Sequence, residues 1–190
     1  RDTDRSRGLG DVYKRQFVVD AATESTAVEI STYEQFAAFA KAVNAGTAES
    51  YASVKLTADI TIPAGTTWTP IGSAANPYTG VFDGDGHTVS GLTASITAAE
   101  YNAENDSVPF GLFGQTQGAT IKNLKMSNVE ISGSAGSGSG ILCGRSIATT
   151  ISGCTIDNSC TFNGNTAMVG GLGCCLLYTS PSPRDRSVSR

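Results

Sequence analysis

The feature that most restricts the possible folds of this chain is a short motif that recurs about every thirty residues. It occurs three times, as TVSGL at 88–92, TIKNL at 120–124 and TISGC at 150–154. Repeats of this length are supersecondary units that cannot bury an apolar face alone and have to stack on one another. We therefore expect the copies to pair, with Ile121 inside the stack between Val89 and Ile151.

The apolar spacing inside one unit indicates short strands separated by corners. The second unit reads I-x-x-L-x-M-x-x-V-x-I from Ile121 to Ile131, so apolar residues two positions apart alternate with polar steps such as Lys122-Asn123. The density of Gly, Thr, Ser and Asn disfavours a helical repeat. Parallel strands spaced about 4.8 Å apart would place Leu124 over Cys154 and leave Lys122 on the outside. The predicted class is all-β, a parallel β-solenoid.

One helix is predicted near the start of the repeats. Val28–Ile30 reads as a strand, and Ser31 with Glu34 matches a capping box. Apolar residues then follow at helical spacing, which predicts an amphipathic helix over 32–44 that ends at Asn44-Ala45-Gly46. The side chains expected to be buried along one face of this helix are Phe36, Phe39, Ala40 and Val43.

Two further segments carry strand and turn signals. Residues 54–62 alternate apolar and polar positions, which predicts one strand with a single buried face. Asp83-Gly84 and Asp85-Gly86 lie within four residues of each other and predict a tight turn between two short strands.

The two ends of the chain resemble a sequencing adapter that was translated together with an insert. Ser6–Gln16 back-translates to DNA whose complementary strand, read in a shifted frame, encodes Cys175–Arg184. We therefore treat 1–16 and 175–190 as adapter-derived and expect no contribution from them to the fold. The remaining residues divide into a linker at 17–27 and a repeat domain at 28–174, which we expect to be a metagenomic fragment.

Removal of these ends changes the charge of the chain. Eight of the 13 lysines and arginines and four of the 17 acidic residues lie in the ends, which leaves five cations against 13 acids. Such an acidic segment lacks the basic surface that binds nucleic acid. No apolar run of about 18 residues occurs, so we expect no membrane insertion within the fragment.

The central motifs resemble bacterial cell-surface proteins with GLUG-type repeats. The segments that carry the resemblance are WTPIG at 68–72, YTGVFDGDGHTVSGL at 78–92, GLFG at 111–114 and TIKNL at 120–124. The resemblance implies a right-handed parallel β-helix with the helix at 32–44 as its N-terminal cap, and display on, or secretion from, a bacterial cell. Because the repeat domain stops in mid-repeat at Gly173, we expect its last coil, which includes Phe162 and Val169, to be open and able to self-associate.

Few side chains suggest chemistry. Asp83 and Asp85 could serve catalysis or calcium, but an Asp before Gly is typical of a turn. His87 lacks the partners that a general base needs. Trp68 could stack on a sugar, although a core or cap position is favoured. Arg145 is an isolated cation to which we assign no role.

Glycine and cysteine patterns are equally unspecific. The Gly133–Gly140 run lacks the Gly-Lys-Ser/Thr end of a phosphate loop and predicts a surface loop. Cys143, Cys154, Cys160 and Cys174 lack the paired spacing of a zinc site, so small buried residues are expected. We therefore assign no catalytic, cofactor-binding or metal-binding residues.

Two functions fit these observations. The first is a non-catalytic extracellular module of a bacterial surface protein, a stalk or adhesive surface whose partners could be carbohydrate or a cell-surface protein. The second is a fragment of a β-helix polysaccharide lyase or glycoside hydrolase, with catalytic residues outside this segment. Further coils with a wall anchor would favour the first, and a carboxylate cluster in later coils would favour the second.

Overall fold

A computed structural model describes residues 27–96, 110–133, 139–163, 169–170 and 173–175. Most of the described residues form short strands. In chain order these are β1 (Val28–Ile30), β2 (Ser53–Leu56), β3 (Ile60–Thr61), β4 (Val81–Asp83), β5 (Thr88–Ser90), β6 (Thr93–Ile96), β7 (Phe113–Gln117), β8 (Thr120–Lys122), β9 (Lys125–Ser127), β10 (Glu130–Gly133), β11 (Ser139–Gly140), β12 (Cys143–Ile147), β13 (Thr150–Ser152), β14 (Thr155–Ile156), β15 (Thr161–Asn163), β16 (Val169–Gly170) and β17 (Gly173–Cys175). One α-helix, α1 (Tyr33–Asn44), and a 3-10 helix at Ala48–Tyr51 lie between β1 and β2.

The strands form five sheets in which every pairing is parallel. The first sheet has the order β1-β2-β4-β8-β13 and the second β14-β9-β5-β3. The third is β15-β10-β6, the fourth β11-β16 and the fifth β17-β12-β7. The chain visits the sheets in the same order on each pass, and we call one such pass a round. The described part of the chain is therefore mostly β with stacked parallel sheets, a solenoid-like arrangement, and one helix.

Alternation of side chains in the first sheet builds the interior. Val54, Phe82, Ile121 and Ile151 occupy one register position in four neighbouring strands. The first three are fully buried and Ile151, on the last strand, is partly exposed. Because neighbouring parallel strands lie about 4.8 Å apart, the ladder packs one apolar side chain directly on the next.

The predicted pairing of Ile121 with Ile151 is confirmed, but its predicted pairing with Val89 is wrong. Ile121 lies opposite Phe82, and Val89 lies opposite Met126 in the second sheet. The reason is the length of the corner between the two sheets. It takes four residues, 84–87, in one round and two, 123–124, in the next, so similar sequences come to occupy different sheets.

The corner after β8 follows the prediction. Pairings on both sides of it keep an offset of 30 residues, which places Leu124 and Cys154 at the same corner. Leu124 is fully buried, whereas Cys154 is partly exposed on the last round.

The segment 54–62 is not the single strand that alternation predicted. It forms β2 and β3, which belong to different sheets, with a corner at residues 57–59. Val54, Leu56, Ile60 and Ile62 are nevertheless all buried. Alternation therefore indicated the buried side chains correctly but could not reveal the corner, because both strands point their apolar residues at the same core.

Helix α1 begins one residue later than its capping box predicted. The N-cap is Thr32, whose Oγ1 accepts from the backbone N–H of Gln35 at 3.3 Å, while Gln35 Oε1 accepts from Thr32 N–H at 3.2 Å. Two overlapping S/T-x-x-E/Q patterns are present, and the second is the one used. The predicted stripe of Phe36, Phe39, Ala40 and Val43 is confirmed as buried.

Aromatic rings join α1 to the sheets. Phe36 and Phe39 lie 6.2 and 6.0 Å from Phe82 between ring centroids, and Phe39 lies 5.4 Å from Tyr78. The helix thus covers the core beside β3 and β4.

The adapter-like interpretation concerns residues that lie almost entirely outside the described part of the chain. The linker at 17–27 is described only at its last residue. At the other end, β17 includes Cys175, which pairs with Ser146. The predicted boundary at 174 therefore falls inside this strand.

Candidate functional site

Charged side chains form a wall on the outside of the first sheet. Glu29, Lys55, Asp83 and Lys122 share one register position in β1, β2, β4 and β8. Their charges alternate in sign along this row. We use the term charged wall for these four residues together with Asp85, Asp59 and His87 at the neighbouring corners.

Within the charged wall, the Asp83 carboxylate has several polar partners. Its Oδ2 lies 3.0 Å from Lys122 Nζ, and its Oδ1 accepts from Asp85 N–H at 2.9 Å and from Asn123 Nδ2 at 3.1 Å. Burial raises the pKa of Asp83, but the hydrogen bonds from Asp85, Lys122 and Asn123 outweigh it and hold the pKa below its usual value. The carboxylate is therefore ionised at neutral pH and fully engaged in binding two rounds together.

Asp85 makes the corresponding contact toward the preceding round. Its Oδ2 lies 3.0 Å from Lys55 Nζ, and the hydrogen bond with Asp85 followed by its charge raises the pKa of Lys55. Asp85 itself has a φ of 48° and lies in a turn closed by the hydrogen bond from His87 N–H to the Gly84 carbonyl at 2.8 Å. The predicted turn is thus confirmed.

The sequence did not indicate the partners of these two carboxylates. Lys55 precedes Asp85 by 30 residues and Lys122 follows Asp83 by 39. Only the register of the first sheet brings each lysine beside its carboxylate.

His87 also has a partner that the sequence did not show. Its Nδ1 lies 3.2 Å from Asp59 Oδ1, which accepts a second hydrogen bond from Thr88 N–H at 2.9 Å. The hydrogen bond from Thr88, followed by that from His87, lowers the pKa of Asp59. A His–Asp pair is a frequent component of general bases. Here the Asp59 side chain is 70% exposed, so water competes for it and the pair lies on an open surface.

Trp68 occupies the core position that the sequence favoured. It is 5% exposed, and its ring stacks on Phe36 with centroids 5.4 Å apart. Its Nε1 donates to the Leu112 carbonyl at 3.3 Å. The indole therefore anchors its loop against α1 and against the backbone at Leu112.

The remaining sequence candidates are dispersed. Cys143 is buried, and Cys154 and Cys160 are partly buried. Burial raises the pKa of the Cys154 and Cys160 thiols, so both stay protonated at neutral pH. Arg145 lies beside Gln115 in the fifth sheet, away from the charged wall.

Part of the Gly133–Gly140 run can be placed. Gly133 ends β10 and Ser139–Gly140 forms β11, while 134–138 lie outside the described residues. Cys174 belongs to β17.

The two carboxylates of the charged wall at 83 and 85 are both engaged in ion pairs. Asp83 and Asp85 each have a lysine of a neighbouring round at 3.0 Å. Within the described ranges, no three His, Cys, Asp or Glu side chains are arranged to hold a metal ion. No helix in the same ranges is long and apolar enough to cross a membrane.

Compared with known proteins, the chain matches no protein-family model, no curated protein and no solved structure.

Proposed function

We propose that this chain is a non-catalytic extracellular repeat module of a bacterial surface protein, folded as a right-handed parallel β-helix and serving as a stalk or an adhesive surface. The observation that carries the proposal is the pairing in the charged wall. Asp83 and Asp85 each bind a lysine from a neighbouring round, so these charges fasten rounds together, which supports a structural role for the wall. The motifs between Trp68 and Leu124 that resemble GLUG-type repeats support the surface location.

The same pairing explains how such a module would extend. Each parallel round adds about 4.8 Å of length, and the apolar ladder is continuous from one round to the next. Opposite charges at one register position favour this stacking and oppose a slip, because a shifted register would separate Lys122 from Asp83. A rod with a polar outside and a fixed register suits a spacer or a surface that displays a binding site.

The alternative is a fragment of a polysaccharide lyase or glycoside hydrolase. One observation favours it, namely the His87–Asp59 pair on the same side of the molecule as Asp83 and Asp85. The sequence placed the catalytic residues of such an enzyme outside this segment. The His87–Asp59 pair adds a second form of the alternative, in which the charged wall itself acts on a sugar, and this form differs from the proposal in whether the chain shows turnover.

A turnover assay separates the two. The chain is incubated with a panel of neutral and uronate polysaccharides while new reducing ends and the absorbance of unsaturated products are recorded. Retention of the chain on the same polysaccharides, or on cell-surface proteins fixed to beads, is measured in parallel. We expect retention on at least one of these surfaces without turnover. Turnover that disappears in His87→Gln but survives in the matched surface change Lys41→Gln would overturn the proposal.

A further inference from the structure

A cleft of about 710 Å³ lies on the third sheet, away from the charged wall. One side is the loop 64–70, and the other is formed by residues 93–95 of β6 together with Phe110. The volume falls within the range of about 300–1,000 Å³ that is typical of small-ligand sites.

The described lining of the cleft is uncharged and mainly apolar, with a set of hydroxyl groups. Among the described residues that form it there is no Asp, Glu, Lys, Arg or His. The polar side chains are hydroxyls, and the apolar surface includes the partly buried ring of Phe110. The hydroxyl-bearing residues are Thr66, Thr67, Thr69, Thr93 and Ser95.

These hydroxyls are available to a ligand. None of the five forms a hydrogen bond within the described part of the chain, and Thr93 and Ser95 are exposed. A hydroxyl can donate and accept at once, so a group of them suits a partner that also presents both functions.

The backbone of β6 adds further donors and acceptors. β6 is an edge strand of the third sheet and, among the described strands, pairs with β10 alone. Leu92 O accepts from Glu130 N–H on that side at 2.8 Å. Because successive residues of a strand direct their N–H and C=O groups to opposite sides, those of Thr93 and Ser95 point away from β10, toward the loop side. An edge of this kind satisfies its backbone groups with water or with a bound partner.

The loop wall is held in place before any ligand arrives. Asn44 Nδ2 donates to the Pro70 carbonyl at 2.9 Å, and Asn44 Oδ1 accepts from Gly72 N–H at 2.8 Å. Trp68 fastens the middle of the loop through its hydrogen bond to the Leu112 carbonyl and its stacking on Phe36. A preorganised wall reduces the entropy that is lost when a ligand binds.

We propose that this cleft binds a neutral saccharide, so that the adhesive role of the proposed function, on which this inference rests, is directed at an uncharged glycan. Sugar rings carry hydroxyls that match the free side chains and edge groups, and C–H faces that pack on Phe110 and Pro70. The acidic chain, with 17 acidic residues against 13 basic ones, repels uronates and sulfated glycans.

Calorimetric titration of the full chain tests the site. The probes are neutral hexasaccharides of glucose, mannose, galactose and xylose, with hexagalacturonate as the charged comparison and a neutral extended hexapeptide as the strand-like competitor. We expect at least one neutral hexasaccharide to bind, and the charged sugar and the peptide to bind more weakly or not at all.

Two matched variants locate the binding. Thr93→Val removes a cleft hydroxyl with little change in shape, and Thr161→Val makes the same change at the same register position on β15, two strands away. We expect Thr93→Val to weaken binding about fivefold, as for one lost hydrogen bond, and Thr161→Val to leave it unchanged. Phe110→Ala should also weaken binding, and the thermal midpoint of each variant controls for folding.

The results separate this site from the proposed function. Absence of binding by every neutral hexasaccharide, equal effects of the two threonine changes, or preferential binding of the peptide or of hexagalacturonate would each overturn the saccharide site. A sugar that is bound at Thr93 and also cleaved would leave the site standing and overturn the non-catalytic role. A chain that shows no turnover and binds no sugar, but still adheres to cell-surface proteins, would overturn the saccharide site and leave the non-catalytic role standing.

Discussion

Replacement of Ile121 by alanine tests whether the apolar ladder of the first sheet is the core of the molecule. Ile121 is fully buried and lies in register between Phe82 and Ile151. Truncation of a buried Ile to Ala removes its transfer free energy and leaves a cavity, which together cost about 2–5 kcal/mol. Because a whole domain is stable by only about 5–15 kcal/mol, the change should be large.

The chain supplies its own control for this experiment. Ile151→Ala deletes the same atoms at the same register position one strand further, where the side chain is partly exposed. We expect a loss of about 1 kcal/mol there. With a midpoint shift of about 2–4 °C per kcal/mol for a chain of this size, a loss of 3 kcal/mol at Ile121 lowers the thermal midpoint by about 6–12 °C.

Urea denaturation at constant slope gives the two free energies of unfolding, and thermal melts give the midpoints. Equal losses at Ile121 and Ile151, or a loss below about 1 kcal/mol at Ile121, would refute the assignment of Ile121 to the interior. Ile121→Asp is more severe, since it buries an unpaired carboxylate, and should prevent folding.

Lys122 is a poor neutral control because of its partner. It faces outward as expected, but its Nζ lies 3.0 Å from Asp83, so Lys122→Asp would place two carboxylates side by side. Its cost should therefore exceed the roughly 0.5 kcal/mol that is typical of an ordinary surface change.

Four further outcomes are expected. Gly72→Ala should destabilise more than Gly86→Ala in urea melts. Both glycines have a φ near 80°, but only at Gly72 would the added Cβ clash with a backbone carbonyl oxygen, that of Gln115, and equal losses would refute the clash. The pKa of Asp83 is lowered in the folded state, so its contribution is present above its unfolded pKa of about 4 and is lost as the pH falls through the folded pKa. Asp83→Asn should therefore flatten the loss of stability below about pH 4, and an unchanged acid profile would contradict this. Limited proteolysis should trim the chain toward 17–174 before cutting within the rounds, and cleavage inside the rounds first would count against an adapter origin of the ends. Sedimentation of 17–174 should show self-association through its last round, whereas a strictly monomeric species would show that this round is already closed.

Local patterns predicted the elements whose neighbours are close in sequence. The stripe of Phe36, Phe39 and Val43 fixed the buried face of α1, because helical periodicity depends only on residues three and four apart. The pairing of Ile121 with Ile151 was predictable because the two rounds have nearly the same length.

Contacts that depend on the length of a corner were not predictable in the same way. The four-residue corner at 84–87 moved Val89 into the second sheet and placed Asp85 beside Lys55. The partnership of His87 with Asp59 likewise arises from the stacking of two corners. A sequence motif identifies similar residues at similar spacing. The contacts of the charged wall depend instead on which residues share a register position, and this depends on the length of every corner.

The lengths of the rounds also bear on where a binding site can develop. Thr150 follows its partner Thr120 by 30 residues, whereas Thr120 follows its partner Val81 by 39. In the third sheet, Glu130 follows its partner Thr93 by 37 residues. In the fifth sheet, Cys143 follows its partner Phe113 by 30 residues. In the sequence, seven of the nine extra residues of the longer round therefore fall between β6 and β7, and two fall at the corner that carries Asp85. Pairing between neighbouring strands fixes the register within each sheet. The connections between sheets can therefore change length at little cost in stability. Connections between elements are where scaffolds of this kind acquire recognition, and Ser95 and Phe110, which flank the longer addition in the sequence, both line the cleft. The round lengths therefore favour the cleft over the charged wall as the place where this surface meets its ligand.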